Sequence, residues 1–444
     1  MAGTSSTHVV VLGAGFGGLT FCEHFHHPSA RVTVVDRTNH HLFQPLLYQV
    51  ATAGLSAPNI AQPIRSLLSD RPEITVLLEQ AVGFNLAQRQ VNLEHSTLHY
   101  DYLVLAMGGC TSYFGHPEWE AFAPGLKTID DALRIRNHVL LAFEKAEDDS
   151  SEAEREALMT IVVVGGGPTG VEVAGAFAEL ARTVLKRDFR RIDPRQARII
   201  LLEAAPAVLE HFPPDLAASA RRQLERLGVC VRTSTRVRSI QRGEVTLQTG
   251  EVIRAANVIW AAGVSAVPLT RQLGVELDRH GRVKVNPDLS VPGHPEVFAI
   301  GDLALVMQDG KPVPGVSPAA MQMARHVARL IRDELDRGHP REPRAPFEYW
   351  DKGTMATIGR SAAVAWIGRF HFSGWFAWLT WLFVHLVFLV GFHNKLAVLL
   401  QWTYSYFAYK RGARIITSLV QEPARPTELQ VYREEEVRPA KYAK

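Results

Sequence analysis

The sequence predicts an α/β chain: two doubly wound parallel-sheet units followed by an apolar, aromatic C-terminal region. Three observations carry this. The order strand, glycine turn, helix, strand, acid occurs twice, near residues 9–36 and 161–203. Each unit is followed by another apolar strand that ends in small residues. Beyond residues 337–346, which hold three prolines and four charges, the composition shifts sharply.

Val9-Val10-Val11-Leu12 is a short β-branched apolar run, the pattern of a strand buried on both faces. It runs into Gly13-Ala14-Gly15-Phe16-Gly17-Gly18 and a helix opening at Leu19 to Glu23. Val32–Val35 is the next strand and ends at Asp36. Tyr102–Leu105 trails into Ala106-Met107-Gly108-Gly109. The charged stretch 127–158 reads as a helix plus a solvated linker. Ile161–Val164 then leads into Gly165-Gly166-Gly167-Pro168-Thr169-Gly170 and a helix through Ala174, and Ile199–Leu202 ends at Glu203. Val258–Trp260 trails into Ala261-Ala262-Gly263, and a further strand, Val297–Ile300, ends at Gly301-Asp302. Two such units in one chain are an internal duplication.

The 444 residues suit two or three domains, and 47% apolar content suits a sizeable core. Forty-eight basic against 45 acidic residues give a net charge of +3, too mild to argue for nucleic acid. Cys22, Cys110 and Cys230 are scattered, with no CxxC pair. That excludes a disulfide scaffold, a cysteine-based metal site or a dithiol redox centre, and no metal is expected. No basic and apolar leader precedes His8, so a cytoplasm-facing enzyme is expected.

The glycine turns have a physical task. Gly13 allows the tight turn, Gly15 lets the backbone approach a pyrophosphate, and Gly18 lets helix pack on strand. The helix N-terminus presents free N–H groups to the phosphates. Asp36, 23 residues after Gly13, stands where an acid accepts ribose hydroxyls. In the second unit the equivalents are Gly165, Gly167, Gly170 and Glu203, the acid 38 residues on, with a charged insertion around Arg182–Arg195. A carboxylate there repels the 2′-phosphate of NADPH, and Ala204 and Ala205 offer no arginine, so NADH is favoured. Two dinucleotide sites pair most simply as a flavin and a nicotinamide. An acid at a strand end, as at Gly301-Asp302, can hold a sugar-alcohol hydroxyl.

At this point the chain resembles the two-dinucleotide-binding flavoproteins, and within them the type II, non-proton-pumping NADH:quinone oxidoreductases. The resemblance spans about residues 8–420. It rests on His41 to Thr52, Asp351 to Arg360, Gln401 to Tyr406 and Val297 to Asp302. It implies two Rossmann-like dinucleotide-binding domains, the FAD domain split by an inserted NADH domain, plus C-terminal membrane-associating helices. The implied boundaries are 1–125 and 285–336 for FAD, 126–158 for a helix and linker, 159–284 for NADH, and 337–444 for the membrane-anchoring region. FAD falls to Gly13, Gly15, Gly18, Asp36, Gly108, Gly301 and Asp302, and NADH to Gly165, Gly167, Gly170, Glu203 and Gly263.

The resemblance places Glu172 at the flavin–nicotinamide contact as a proton relay, although a first-turn glutamate is also what the helix dipole favours. The family's Ala-Gln-x-Ala-x-Gln quinone motif matches Ser317-Pro318-Ala319-Ala320-Met321-Gln322. Gln322 is kept for a quinone contact, while Pro318 replaces the first glutamine. Lys352 reads equally as a flavin neighbour or a solvated loop lysine.

Trp375 to Phe392 is an 18-residue stretch without formal charge, interrupted by His385 and Gly391. Trp402, Tyr404, Tyr406, Phe407 and Tyr409 follow, flanked by Lys410, Arg411 and Arg414. Aromatic and basic residues together suit a headgroup zone. The tail is read as helices lying on the bilayer surface, with a spanning helix or a buried core or dimer helix as alternatives. The expected partners are a membrane quinone (ubiquinone or menaquinone), the lipid surface and a second copy in a homodimer. The expected place is the cytoplasmic face of the inner membrane. The rival readings are a sulfide:quinone oxidoreductase, which lacks its cysteine pair here, and a flavin-binding scaffold docked on the membrane.

Overall fold

The computed structural model describes residues 6–148, 151–338, 343–408 and 413–417. Tyr409, Lys410 and Arg411 of the basic aromatic tail lie outside the described residues.

The first apolar runs become neighbouring strands of one sheet. Its order is Ser290–Val291, His294–Ala299, Tyr102–Leu105, Thr7–Leu12, Ala30–Asp36, Ile74–Leu78. Thr7–Leu12 pairs in parallel with Ala30–Asp36 on one side and Tyr102–Leu105 on the other. His294–Ala299, from far along the chain, adds in parallel to Tyr102–Leu105. The helices Phe16–His24 and Ser317–Arg337 pack together on this sheet. In its central strands Val9, Val10, Val11, Val32, Val34 and Val35 are buried on both faces, as helix-covered parallel sheets require.

The second sheet has the order Val229–Arg232, Arg198–Leu202, Thr160–Val164, Asn257–Trp260, and every pairing is parallel. The duplication extends beyond the glycine turns. Each unit carries a small antiparallel three-stranded sheet before its trailing strand, Ala81–His99 in the first and Val237–Arg254 in the second. Just past the trailing strands the two units are tied together: Gly109–Thr111 pairs antiparallel with Val264–Ala266.

The stretch 127–158 holds the expected helix, and a second one, Glu152–Leu158. Its helix Ile129–Glu147 starts on Thr128, whose hydroxyl accepts the Asp131 N–H while Asp131 reaches back to Thr128 N–H. Its inner face (Ile135, Val139, Phe143) is buried. The C-terminal region opens with a three-stranded sheet, Thr354–Thr357, Ala363–Ile367 and Phe370–Ser373, before any of the apolar helices.

The 18-residue apolar stretch is not one helix. Trp375–Phe388 ends at Leu389, Gly391 turns the chain with φ +83°, and Phe392–Ala408 begins. No described helix is long and apolar enough to cross a membrane. Trp381, Leu389 and Val398 are buried in the core shared with the second unit, while Ala377, one turn before Trp381, is buried against Ala363 and Ala365 of the three-stranded sheet. Phe376, Leu379, Phe383 and Val387 point the other way and are exposed.

Candidate functional site: two dinucleotide turns meeting at a desolvated acid

The two glycine turns are built alike. Gly13 and Gly165 hold φ of +95° and +110° with backbone from the trailing strand pressed against them, so a side chain at either is excluded. Gly18 and Gly170 lie so close to the carbonyls of Gly13 and Gly165 that a Cβ would overlap them. Gly15 and Gly167 are the opposite case, with open space where a Cβ would stand. Each is the N-cap of its helix, and neither helix start is closed by a side-chain hydrogen bond. Free N–H groups therefore face clear space in both turns, the requirement for a pyrophosphate.

The acids are wired into these turns in one shared pattern. Asp36 accepts the Ala14 N–H at 2.7 Å and the Thr38 N–H at 2.7 Å. Glu203 accepts the N–H of Gly166 and, at 2.6 Å, that of Ala205. Each carboxylate thus fastens its turn to the following strand. A carboxylate has about four acceptor positions, so both keep capacity for ribose hydroxyls.

The segment 41–52 lies against the first turn. His41 is buried, its Nδ1–H donates to Ala14 O at 2.9 Å, and its Nε2 has no protein partner. Burial holds the imidazole below its ordinary pKa, so it is neutral. An unsatisfied buried acceptor beside the phosphate turn fits a site completed by a bound cofactor.

Between the units is a cavity of about 130 Å³ lined by Pro45, Tyr48, Lys127, Glu172, Trp260 and Gly263, among others. It joins the segment 41–52 of one unit to the helix start and trailing strand of the other. Glu172 opens onto it from Pro168–Glu179 just beyond the first turn, which holds no acid, so the first-turn position read from the sequence is corrected and the helix dipole does not account for this glutamate. Thr357 N–H donates to its Oε1 at 3.4 Å, and the Trp381 indole faces it. Desolvation outweighs both contacts and pushes the carboxyl up to about 8. It therefore carries its proton at neutral pH.

Outside the cavity lining, Gly301 takes φ +70° and its N–H points at Met323 Sδ, 3.2 Å away. Asp302 follows, packed between Gly109 and Gly315, with Lys127 Nζ 3.9 Å from its carboxylate. Gly108 has φ +68° and open space beside it.

The pyridine nucleotide-disulphide oxidoreductase family matches residues 7–324. The type II NADH:quinone oxidoreductase Ndh of Mycobacterium tuberculosis is 46% identical over 421 residues, covering 92% of this chain and 90% of the relative. The chain belongs to the type II NADH:quinone oxidoreductases. A second such enzyme of M. tuberculosis, NdhA, is 45% identical over 423 residues and covers 92% of this chain and 89% of itself. Among solved structures, NDH2 from Plasmodium falciparum in complex with NADH superposes with a TM-score of 0.84 at 20% identity, over 93% of this chain and 100% of that one.

In this type II oxidoreductase, Gln322 does not line the cavity of Glu172. Both ends of its amide are taken by Trp350: Nε2–H donates to Trp350 O and Oε1 accepts Trp350 N–H, each at 2.9 Å. Lys352 lies exposed between the rings of Trp350 and Phe388. The cysteines are free and separate, buried at Cys22, partly buried at Cys110 and exposed at Cys230. Lys127, Thr357 and Trp381 escape sequence reasoning as site residues, since each reaches the site from a distant element, whereas Trp260 stands directly ahead of Ala261-Ala262-Gly263 and reads only as strand. The one local hint is the Thr128 capping signal, which fixes where Lys127 enters the fold.

Proposed function

We infer that this chain oxidises NADH and delivers the electrons to a quinone. Held by the residues of the first unit, FAD would supply the two-electron chemistry that links NADH to the quinone. The observation that carries the residue assignments is the meeting of two glycine-turn units at the Glu172 cavity. The turn of Gly13, Gly15 and Gly18, with Asp36, Gly108, Gly301 and Asp302, holds FAD. The turn of Gly165, Gly167 and Gly170, with Glu203 and Gly263, holds NADH. Unpaired helix N-termini take the phosphates and the acids take ribose hydroxyls.

NADH brings one hydride and quinol carries two hydrogens, so each turnover takes up one proton. Glu172, its pKa pushed up to about 8, holds a proton at neutral pH, with Oε1 turned to Thr357 N–H. It is the acid best placed to release a proton into the cavity. Tyr48, Pro45 and Trp260 wall the cavity and limit water. Gln322 acts through Trp350, fixing the segment that carries Lys352 toward Phe388.

The lipid bilayer is the proposed docking surface. Phe376 (72% exposed), Phe383 (68%) and Phe407 (76%) project from two consecutive helices whose other faces are buried. Such a surface, with no described helix long and apolar enough to cross a membrane, suits interfacial seating beside dissolved quinone. The domain boundaries stated above stand as part of this reading, as do a homodimer joined through the C-terminal region and docking on the cytoplasmic face. Analytical ultracentrifugation tests the dimer, and protease access in inverted vesicles tests the face. Steady-state assay with NADH, NADPH and a short-chain quinone tests the activity. Quinol formation with NADH well above that with NADPH is expected, and sulfide-driven reduction instead would overturn the assignment.

A further inference from the structure

The turn Tyr113-Phe114-Gly115-His116 closes with His116 N–H donating to Tyr113 O at 3.1 Å. Both central residues have positive φ, +51° at Phe114 and +94° at Gly115, as in a type I′ turn. That turn favours Asn-Gly, because a bulky side chain strains the left-handed backbone at the first position. Phenylalanine stands there, and the residue is 59% exposed, so core packing does not offset the strain. The turn is held firmly: Thr111 pairs with Val264, Ser112 N–H donates to Gly263 O, and the Trp260 indole donates to Ser112 O.

The ring has a definite seat. It lies over Gly263, where a Cβ would come within 2.7 Å of its Cζ, and meets Trp260 edge-on at 6.2 Å. Gly263 and Trp260 both line the Glu172 cavity. Glu203, by contrast, is fastened to the turn at Gly166, toward the adenosine end of the same site. A strained, exposed aromatic ring at the reacting end of a dinucleotide site is an outlier of the kind that marks function.

We propose that Phe114 is a substrate-positioning residue: its ring, standing on Gly263, covers the nicotinamide-ribose half of bound NADH and holds it in the Glu172 cavity. The proposal rests on assigning the second glycine turn to NADH. Gly263 is small because the ring needs that space. The phenylalanine is carried by the FAD unit while Gly263 belongs to the NADH unit, so the contact also sets the two units in register for transfer.

The test uses full-length holoenzyme carrying Phe114→Asn, Phe114→Tyr or no change, mixed anaerobically with a range of NADH concentrations. Asparagine tolerates the left-handed backbone and removes the ring. The expected result for Phe114→Asn is a rise of about tenfold in the NADH concentration for half-maximal flavin reduction. The limiting rate changes less, and the thermal midpoint is equal to or above wild type. Phe114→Tyr restores the wild-type concentration dependence. An unchanged dependence in Phe114→Asn, or a rise that comes with a lowered thermal midpoint, would assign the ring to the turn and overturn the proposal. If NADH reduces neither wild type nor variant, the failure lies in the NADH assignment itself.

Discussion

The Trp381 indole faces the carboxyl of Glu172 from 209 residues further along the chain, and its N–H has no other partner among the described residues. The contact falls short of full hydrogen-bond geometry yet counts among the causes that lower the Glu172 pKa. Trp381 sits on the buried face of a helix whose other face is exposed and apolar. The element proposed to touch lipid therefore also touches the acid proposed to handle the proton.

Glu172 sets the first prediction. With the carboxyl pushed up to about 8, turnover is level near neutrality and falls as pH rises through that value. Glu172→Gln removes this alkaline limb and lowers quinone turnover by ~10²-fold. Stability follows the same titration. The folded pKa lies above the unfolded value of 4.5, so the favourable contribution is full below that value and is lost as pH rises toward 8. At pH 8 the glutamine variant should therefore be the more stable by ~1–3 kcal/mol in denaturant unfolding.

Trp381→Phe keeps most of the buried ring and removes the N–H. That N–H lowers the Glu172 pKa, so its loss should move the alkaline limb of the pH profile upward. Trp381 also stacks on His385 at 4.0 Å. Burial holds that imidazole at about 4, hence neutral, so the stack adds no charge next to the acid. A pH–rate profile unmoved by the substitution would remove Trp381 from the site.

Glu203 has two tasks that one variant can separate. Glu203→Gln keeps an acceptor for the Gly166 and Ala205 N–H groups but removes the charge. The preference for NADH over NADPH should fall by ~10-fold with little change in thermal midpoint. Glu203→Ala should also lower stability by ~1–3 kcal/mol, because buried turn N–H groups lose their acceptor. Cofactor kinetics and thermal unfolding report the two effects apart.

The exposed helix faces give a prediction that leaves the redox site untouched. Replacing Phe376, Phe383 and Phe407 together by serine should abolish co-flotation with liposomes. Each exposed phenylalanine contributes ~1.5–3 kcal/mol when buried in lipid. Activity with a water-soluble short-chain quinone should persist.

What could be read beforehand was local. The turns at Gly13 and Gly165 and their acids are written in runs of adjacent residues, so strand, turn and helix follow from pattern alone. The way Asp36 and Glu203 bond back into those turns is invisible in sequence, because it depends on backbone closing over 22 and 37 positions. Hydropathy found the apolar stretch from Trp375 and marked Gly391 as an interruption, but it does not register the left-handed φ that makes Gly391 the turn between two helices. Nor could it show Trp381 turned inward and Phe383 outward, as both score as apolar. Gln322 reads as a free amide in a motif, and only the fold shows both of its ends held by Trp350.

Anaerobic addition of NADH to the purified holoenzyme, followed by a short-chain quinone, tests the central claim most directly through the flavin absorbance. Loss of the oxidised-flavin band with NADH, far less with NADPH, and its return on adding quinone is the predicted result. A band that NADH leaves unchanged, or that quinone fails to restore, would contradict the assignment of the two glycine turns to one electron path.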